Sequence, residues 1–238
     1  MINAPRSEDY LARWNLVPDG EPVTTRSSDL LPVLHGGAPA FLKVATEPEE
    51  RWGAALMAWW NRDDEASRII CAVAAKLHAP RSLPPPELIP LTDWFRELEP
   101  AAERLGGVLR QASEASRELL AKPRDVAVLH GDIHHGNILD FGARGWLAID
   151  PKRLVGERGF DFANIFCNPD LEIATAPGRL RRQATVVAEA ANLDRQRLLK
   201  WILAYAGLSA AWSLGTQNES PELALIVARL AAAELGFA

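Results

Sequence analysis

The stretch His130-Gly-Asp-Ile-His-His-Gly-Asn137, set between the apolar runs Val126–Leu129 and Ile138-Leu139, leaves this chain few folds to choose from. An aspartate placed five residues before an asparagine, in a loop between apolar strands, suits phosphoryl transfer. The aspartate takes the proton of an attacking hydroxyl, and the asparagine holds a magnesium ion that bridges nucleotide phosphates. A second acid, Asp150, closes the strand-like run 145–149 and is placed to hold the ion from the other side. Mg²⁺ prefers a few hard oxygen ligands, with phosphates completing its shell. Any one of Asp132, Asn137 and Asp150 alone reads as an ordinary loop or strand-end polar residue. Their joint spacing makes Asp132 the candidate catalytic residue and Asn137 and Asp150 the candidate metal ligands.

The wording around these residues resembles the catalytic loop of aminoglycoside phosphotransferases. Arg144-Gly-Trp-Leu-Ala-Ile-Asp-Pro151, Val155-Gly-Glu-Arg-Gly-Phe160 and Ala163-Asn-Ile-Phe166 narrow the likeness to the streptomycin 6-phosphotransferase and hydroxyurea phosphotransferase branch of the kinase-like fold. The resemblance covers most of residues 10–60 and 64–236 and is strongest from 125 to 170. It implies an α+β, protein-kinase-like fold of two lobes. Residues 1–63 would be a shortened, β-rich N-lobe, and residues 64–238 a mainly helical C-lobe carrying the catalytic loop. It also implies ATP and Mg²⁺ as cofactors and a small-molecule hydroxyl acceptor such as a cationic aminoglycoside, with no nucleic-acid or membrane partner. Lys43, on the third strand-like run, matches the family's phosphate-binding lysine, and Glu50, with Glu49 next, its paired glutamate. A solvated strand lysine and a first-turn glutamate complementing a helix dipole remain the plain alternatives. In place of a glycine-rich phosphate loop stands Thr25-Arg-Ser-Ser-Asp29, so Ser27 and Ser28 would cover the phosphates with hydroxyls and backbone N–H groups. Asp161 matches a position that ties the catalytic loop down from behind.

Composition fits this and excludes other classes. A chain of 238 residues, 48% hydrophobic and 24% charged, buries a sizeable core as an ordinary globular protein. A formal charge of −5 argues against a general nucleic-acid binder. Two cysteines, Cys71 and Cys167, give no disulfide framework and point to a reducing cytoplasm. The uncharged run 201–218 is interrupted by Tyr205, Ser209, Ser213, Thr216 and Gln217, so it reads as a buried helix rather than a membrane span.

Along the chain, residues 8–16 read as a short helix or an ordered lead-in, and Val23–Thr25, Leu30–Leu34 and Ala40–Val44 as strands. Thr46 would cap a helix running to about Trp60, with Trp52, Ala55, Leu56 and Trp59 on its apolar face. Between Trp60 and Asp64 no room remains for the two further strands and adenine-binding hinge of a kinase N-lobe. That implies a deleted block, an unpaired sheet edge and a poorly formed adenine slot. Helices follow over 64–79, 91–105 and 108–121. A strand at 126–129 and a hairpin of 138–141 and 146–149 frame the catalytic loop, and three more helices cover 178–191, 194–214 and 221–235. His134 and His135 read as exposed loop residues, with an approach of one of them to the phosphates or acceptor as the alternative, His78 as a helix-end histidine, and Glu157 and Asp170 as acids able to face a cationic sugar. A binuclear metal phosphoesterase, suggested by Gly131-Asp-Ile-His134, needs histidine ligands spread along the chain, and none follows His135. The rival that stays open is a kinase-like remnant that binds a ligand or partner without phosphotransfer.

Overall fold

The computed structural model describes residues 7–24, 28–45, 54–57, 62–80, 87–216 and 220–237. Helix α1 (Ser7–Arg13) leads into strands β1 (Leu16–Pro18), β2 (Val23–Thr24), β3 (Ser28–His35), β4 (Ala38–Ala45) and β5 (Ala54–Met57). Gly36 and Gly37 take φ of 59° and 84°, the left-handed conformation a tight hairpin turn demands. That turn folds β4 back on β3 in register from Ser28↔Ala45 to His35↔Ala38. One face of the pair buries Val33, Leu42 and Val44 against Tyr10 and Leu16, forming a small core of its own.

Strand β5 corrects the sequence reading. Ala54–Met57 falls inside the helix expected from 46 to about 60, yet it pairs antiparallel with β4 from Phe41↔Met57 to Val44↔Ala54. The remainder of that expected helix, 46–53 and 58–60, lies outside the described residues. Helix preference among ordinary residues amounts to roughly 0–0.7 kcal/mol each, so an available strand edge overrides it. The edge expected to stand unpaired is covered, because β5 also meets a later strand at Ala54↔Asp140.

The rest is mainly helical. Helix α2 (Asp63–His78) buries Ile70, Cys71, Val73 and Ala74 and stops two residues before Pro80. The helix expected over 91–105 is two, α3 (Leu91–Trp94) and α4 (Leu98–Leu105), separated at 95–97. Gly106 and Gly107, both at positive φ, divide α4 from α5 (Val108–Ala121). After the catalytic region come α6 (Leu171–Ala174), which the sequence reading did not place, and α7 (Arg179–Ala191), α8 (Arg195–Gly215) and α9 (Glu222–Glu234), close to the three helices read from sequence.

Helix α8 is the axis of the main core. Asp194 caps it by accepting from Arg197 N at 2.7 Å, and its residues from Leu198 to Leu208 are mostly buried. Gly207 lets α5 approach, since a Cβ there would stand 2.3 Å from Ala112 Cβ. Trp201, Phe160, Phe95 and Tyr205 form a cluster of edge-to-face and tilted rings with centroids 5.7 to 6.1 Å apart. Burying each such side chain contributes roughly 1.5–3 kcal/mol. No described helix is long and apolar enough to cross a membrane.

Strands β6 (Ile89–Pro90), β7 (Val126–Leu129), β8 (Ile138–Asp140), β9 (Trp146–Ala148) and β10 (Leu154–Glu157) complete two sheets. The larger runs β1-β3-β4-β5-β8-β9 with β2 on β3, and the smaller β6-β10-β7. The hairpin β8–β9, Ile138↔Ala148 to Asp140↔Trp146, joins the sheet of the first part of the chain to the catalytic loop.

Candidate active site

The loop 130–137 leaves β7 and enters β8, and buried contacts hold it from below. Asp161 lies in the 3₁₀ segment Arg158–Cys167 and is buried. Its Oδ2 accepts from His130 N at 2.9 Å, and its Oδ1 accepts from Gly131 N at 2.7 Å. His78 Nε2 sits 2.8 Å from the same carboxylate, so this helix-end histidine is a strut for the loop. The His130 ring meets Ile149 O at 2.7 Å and accepts from Asp132 N at 3.2 Å, tying the loop to its own backbone. Gly131 has φ 85°, and a Cβ there would clash with Leu154 at 2.7 Å, so the loop passes β10 only because this residue is glycine.

These contacts bring Asp132, Asn137 and Asp150 together. Asn137 Nδ2 donates to Asp132 O at 2.9 Å and lies 3.4 Å from Asp132 Oδ2. With the amide nitrogen so committed, Asn137 Oδ1 accepts no hydrogen bond from the described residues and is available as a hard oxygen ligand. Asp150 follows β9 at φ 59°, a strained conformation of the kind that gathers at functional sites, and its carboxylate is 57% exposed.

Two residues of this site went unmarked in the sequence. Asn164 Nδ2 donates to Asp132 Oδ1 at 2.7 Å and is itself held by Asn168, whose Nδ2 donates to Asn164 Oδ1 at 2.9 Å. Lys152 Nζ stands 2.5 Å from Asp150 Oδ2 and 3.4 Å from Asp132 Oδ2. Burial pulls the Lys152 ammonium pKa down, but the two carboxylates outweigh it and hold the pKa above its ordinary value. No regular period signalled Lys152, because Asp150 takes φ 59° and residues 149–153 form no strand.

The donor set suits a hard divalent cation. The exposed Asp150 carboxylate already carries the Lys152 ammonium, and Asn137, held on Asp132 through its nitrogen, offers its amide oxygen. No group of three or more His, Cys, Asp or Glu able to hold a metal occurs among the described residues. A bound ion would therefore need phosphate oxygens to complete its shell, as Mg²⁺ at nucleotide sites does.

Other expected positions fare differently. Lys43 lies in β4 opposite Leu30 and Ala55, and Ser28 opens β3 opposite Ala45, but their side chains are outside the described set. Ser27, Glu49 and Glu50 lie wholly outside it. His135 is buried rather than exposed. Both its ring nitrogens lack partners, the nearest acid being Asp63 at 3.8 Å. Burial, with Arg179 nearby, pushes its pKa down to about 4. His134 Nδ1 accepts from Gly136 N at 3.1 Å. Glu157 cannot face a sugar, for it is buried with its carboxylate on Arg197 Nε and Nη2 (both 2.6 Å), Trp201 Nε1 and Arg124 N (both 2.9 Å). Asp170 caps α6, accepting from Ile173 N at 2.9 Å. A cleft of about 280 Å³ lined by Trp14, His35, Arg62, Ile138 and Trp146 lies beside the loop, and Asp132, Asn137 and Asp150 do not line it.

Comparisons with known proteins bear on the chain as a whole. The family model described as aminoglycoside/hydroxyurea antibiotic resistance kinase matches residues 13–63 and 61–216. A streptomycin 3''-kinase of Klebsiella pneumoniae is 47% identical over 244 residues, covering 86% of this chain and 91% of that protein. A streptomycin 6-kinase of Streptomyces griseus is 30% identical over 249 residues, covering 85% and 80%. Among solved structures, a choline/ethanolamine kinase family protein from Mesorhizobium loti superposes with a TM-score of 0.54 at 14% identity over 97% of each chain, which shows the kinase-like fold. The 244 aligned positions of the Klebsiella protein span about 205 residues here, 86% of 238, so about 39 of its positions have no counterpart. The two matched pieces meet at 61–63, where the sequence placed a missing block. On the span of the family match and the identity to its members, the chain belongs to the aminoglycoside/hydroxyurea antibiotic resistance kinase family.

Proposed function

We propose that this phosphotransferase moves the γ-phosphoryl group of ATP to a hydroxyl of a streptomycin-type aminoglycoside. The observation that carries the reading is the contact of Asp132 with Asn137 in a loop braced by Asp161, with Lys152 linking Asp132 to Asp150, in a chain 47% identical to a streptomycin 3''-kinase. That relative favours the 3''-hydroxyl over the 6-hydroxyl as acceptor.

In this reading Asp132 orients the acceptor hydroxyl and takes its proton as the oxygen–phosphorus bond forms and the bond to the β,γ-bridging oxygen breaks, releasing ADP. Asn164 and Asn137 hold the two Asp132 oxygens, so the carboxylate meets the acceptor at a fixed angle. Asn137 Oδ1 and Asp150 would hold Mg²⁺, which neutralises charge on the nucleotide phosphates when bound. Lys43 and Glu50 would add a charge-paired contact to those phosphates, and Ser27 and Ser28 would cover them. Residues 1–63 would act as a shortened N-lobe on a C-lobe of 64–238, in the cytoplasm. Little covalent chemistry is asked of the protein, and positioning and electrostatics supply the acceleration.

The about 39 missing positions and the short step from Met57 to Asp63 favour one second reading, a kinase-like protein that binds an acceptor without turnover. A coupled assay with Mg-ATP and streptomycin separates the two. ADP release that depends on streptomycin supports transfer. None, from protein with a cooperative melt, supports the second reading.

A further inference from the structure

Lys152 is the feature that the reading above leaves without a role. Its Nζ lies 2.5 Å from Asp150 Oδ2 and 3.4 Å from Asp132 Oδ2, bridging the candidate proton acceptor and a candidate metal ligand. The side chain is a third exposed, so its head reaches the open face of the site. Its backbone is fixed, with Lys152 N donating to His130 O at 2.7 Å. Its Cβ packs where a Gly131 Cβ would come within 3.1 Å. A lysine held this way is placed by the fold.

A phosphoryl group in flight must pass between the acceptor hydroxyl at Asp132 and the nucleotide on the Asp150 side. In most analyses its charge is spread over three equatorial oxygens. Two bare carboxylates would repel those oxygens, and the one described cation that touches both carboxylates is the Lys152 ammonium. A compact, strongly hydrated ammonium with three rotatable donors can pass from carboxylate to phosphoryl oxygen by turning its terminal bonds.

Resting on the phosphotransfer reading, we infer that Lys152 is a catalytic residue that donates hydrogen bonds to the γ-phosphoryl oxygens during transfer. The acceptor oxygen bonds to phosphorus, the bridging oxygen leaves with ADP, and the acceptor proton goes to Asp132. Lys152 keeps its protons throughout and supplies charge.

The test uses the full chain and its Lys152→Met and Lys152→Arg variants. It combines steady-state kinetics with streptomycin and calorimetric binding of ADP and of a non-hydrolysable ATP analogue. Lys152→Met is expected to lower kcat about 100-fold, the scale of losing one charge-stabilising donor. KM for streptomycin should stay near wild type and the preference for triphosphate over diphosphate should vanish, while Lys152→Arg restores part of both. A near-wild-type kcat with turnover at lower Mg²⁺ would make Lys152 a mere placeholder for the metal and overturn the inference. An unchanged triphosphate preference would also overturn it. A wild-type chain that transfers nothing would overturn the phosphotransfer reading itself, a different result from an active wild type with an indifferent Lys152→Met.

Discussion

Asn164 Nδ2 donates to Asp132 Oδ1 at 2.7 Å, across 32 residues of sequence. The bond fixes the angle at which the carboxylate meets an acceptor, and Asn168 fixes Asn164 in turn. Asn164→Ala should lower kcat about tenfold, because misplacing a reacting group by a fraction of an ångström already costs rate. KM for ATP should change little, since Asn164 contacts neither Asn137 nor Asp150 in the bonds described. Steady-state kinetics at saturating and limiting ATP would check this split.

Asp161 bears on stability more than on chemistry. Removing its carboxylate strips acceptors from two buried backbone N–H groups and leaves His78 without its partner. Each orphaned buried group costs about 1–3 kcal/mol, so Asp161→Ala should lose about 3–5 kcal/mol. Urea unfolding by circular dichroism would register it as a lower midpoint with an unchanged slope.

The contact of α9 with α7 and α8 should respond to acid. Burial raises the pKa of Glu234, but hydrogen bonds from Arg181 and Arg195 outweigh it and hold the group below its ordinary 4.5. A carboxylate depressed in the folded state stabilises above its unfolded pKa, and that contribution is lost as pH falls through the folded value. Wild type should therefore exceed Glu234→Gln by about 1 kcal/mol or less near pH 7. The gap should close below pH 4.5, as read by urea midpoints at several pH values.

Elements with a strong period or a distinctive motif were legible before any coordinates. The hairpin around Gly142-Ala-Arg-Gly145 and the buried run of α8 follow from local pattern, and the loop bracing by Asp161 from the family resemblance. Ala54–Met57 did not, because Ala-Ala-Leu-Met favours a helix when read alone and becomes a strand only through pairing with β4. Glu157 read as a surface acid because nothing local reveals that Arg197 and Trp201, forty and more residues on, close over it. Asn164 stood within the distinctive Ala163-Asn-Ile-Phe166 but carried no site role for the same reason, since it reaches Asp132 through tertiary packing alone. His135 sat in the motif yet turned inward toward Asp63, since a loop motif fixes chain path more firmly than the side each ring takes.

The central claim is that Asp132 is the group that activates an acceptor hydroxyl. The most direct measurement is streptomycin-dependent ADP release from Mg-ATP by the wild type and by Asp132→Ala, with calorimetric binding of an ATP analogue to both. Losing a general base costs about 10²–10⁴-fold in rate, so turnover should fall by at least two orders of magnitude while analogue binding persists. Equal turnover in the two proteins would contradict the account.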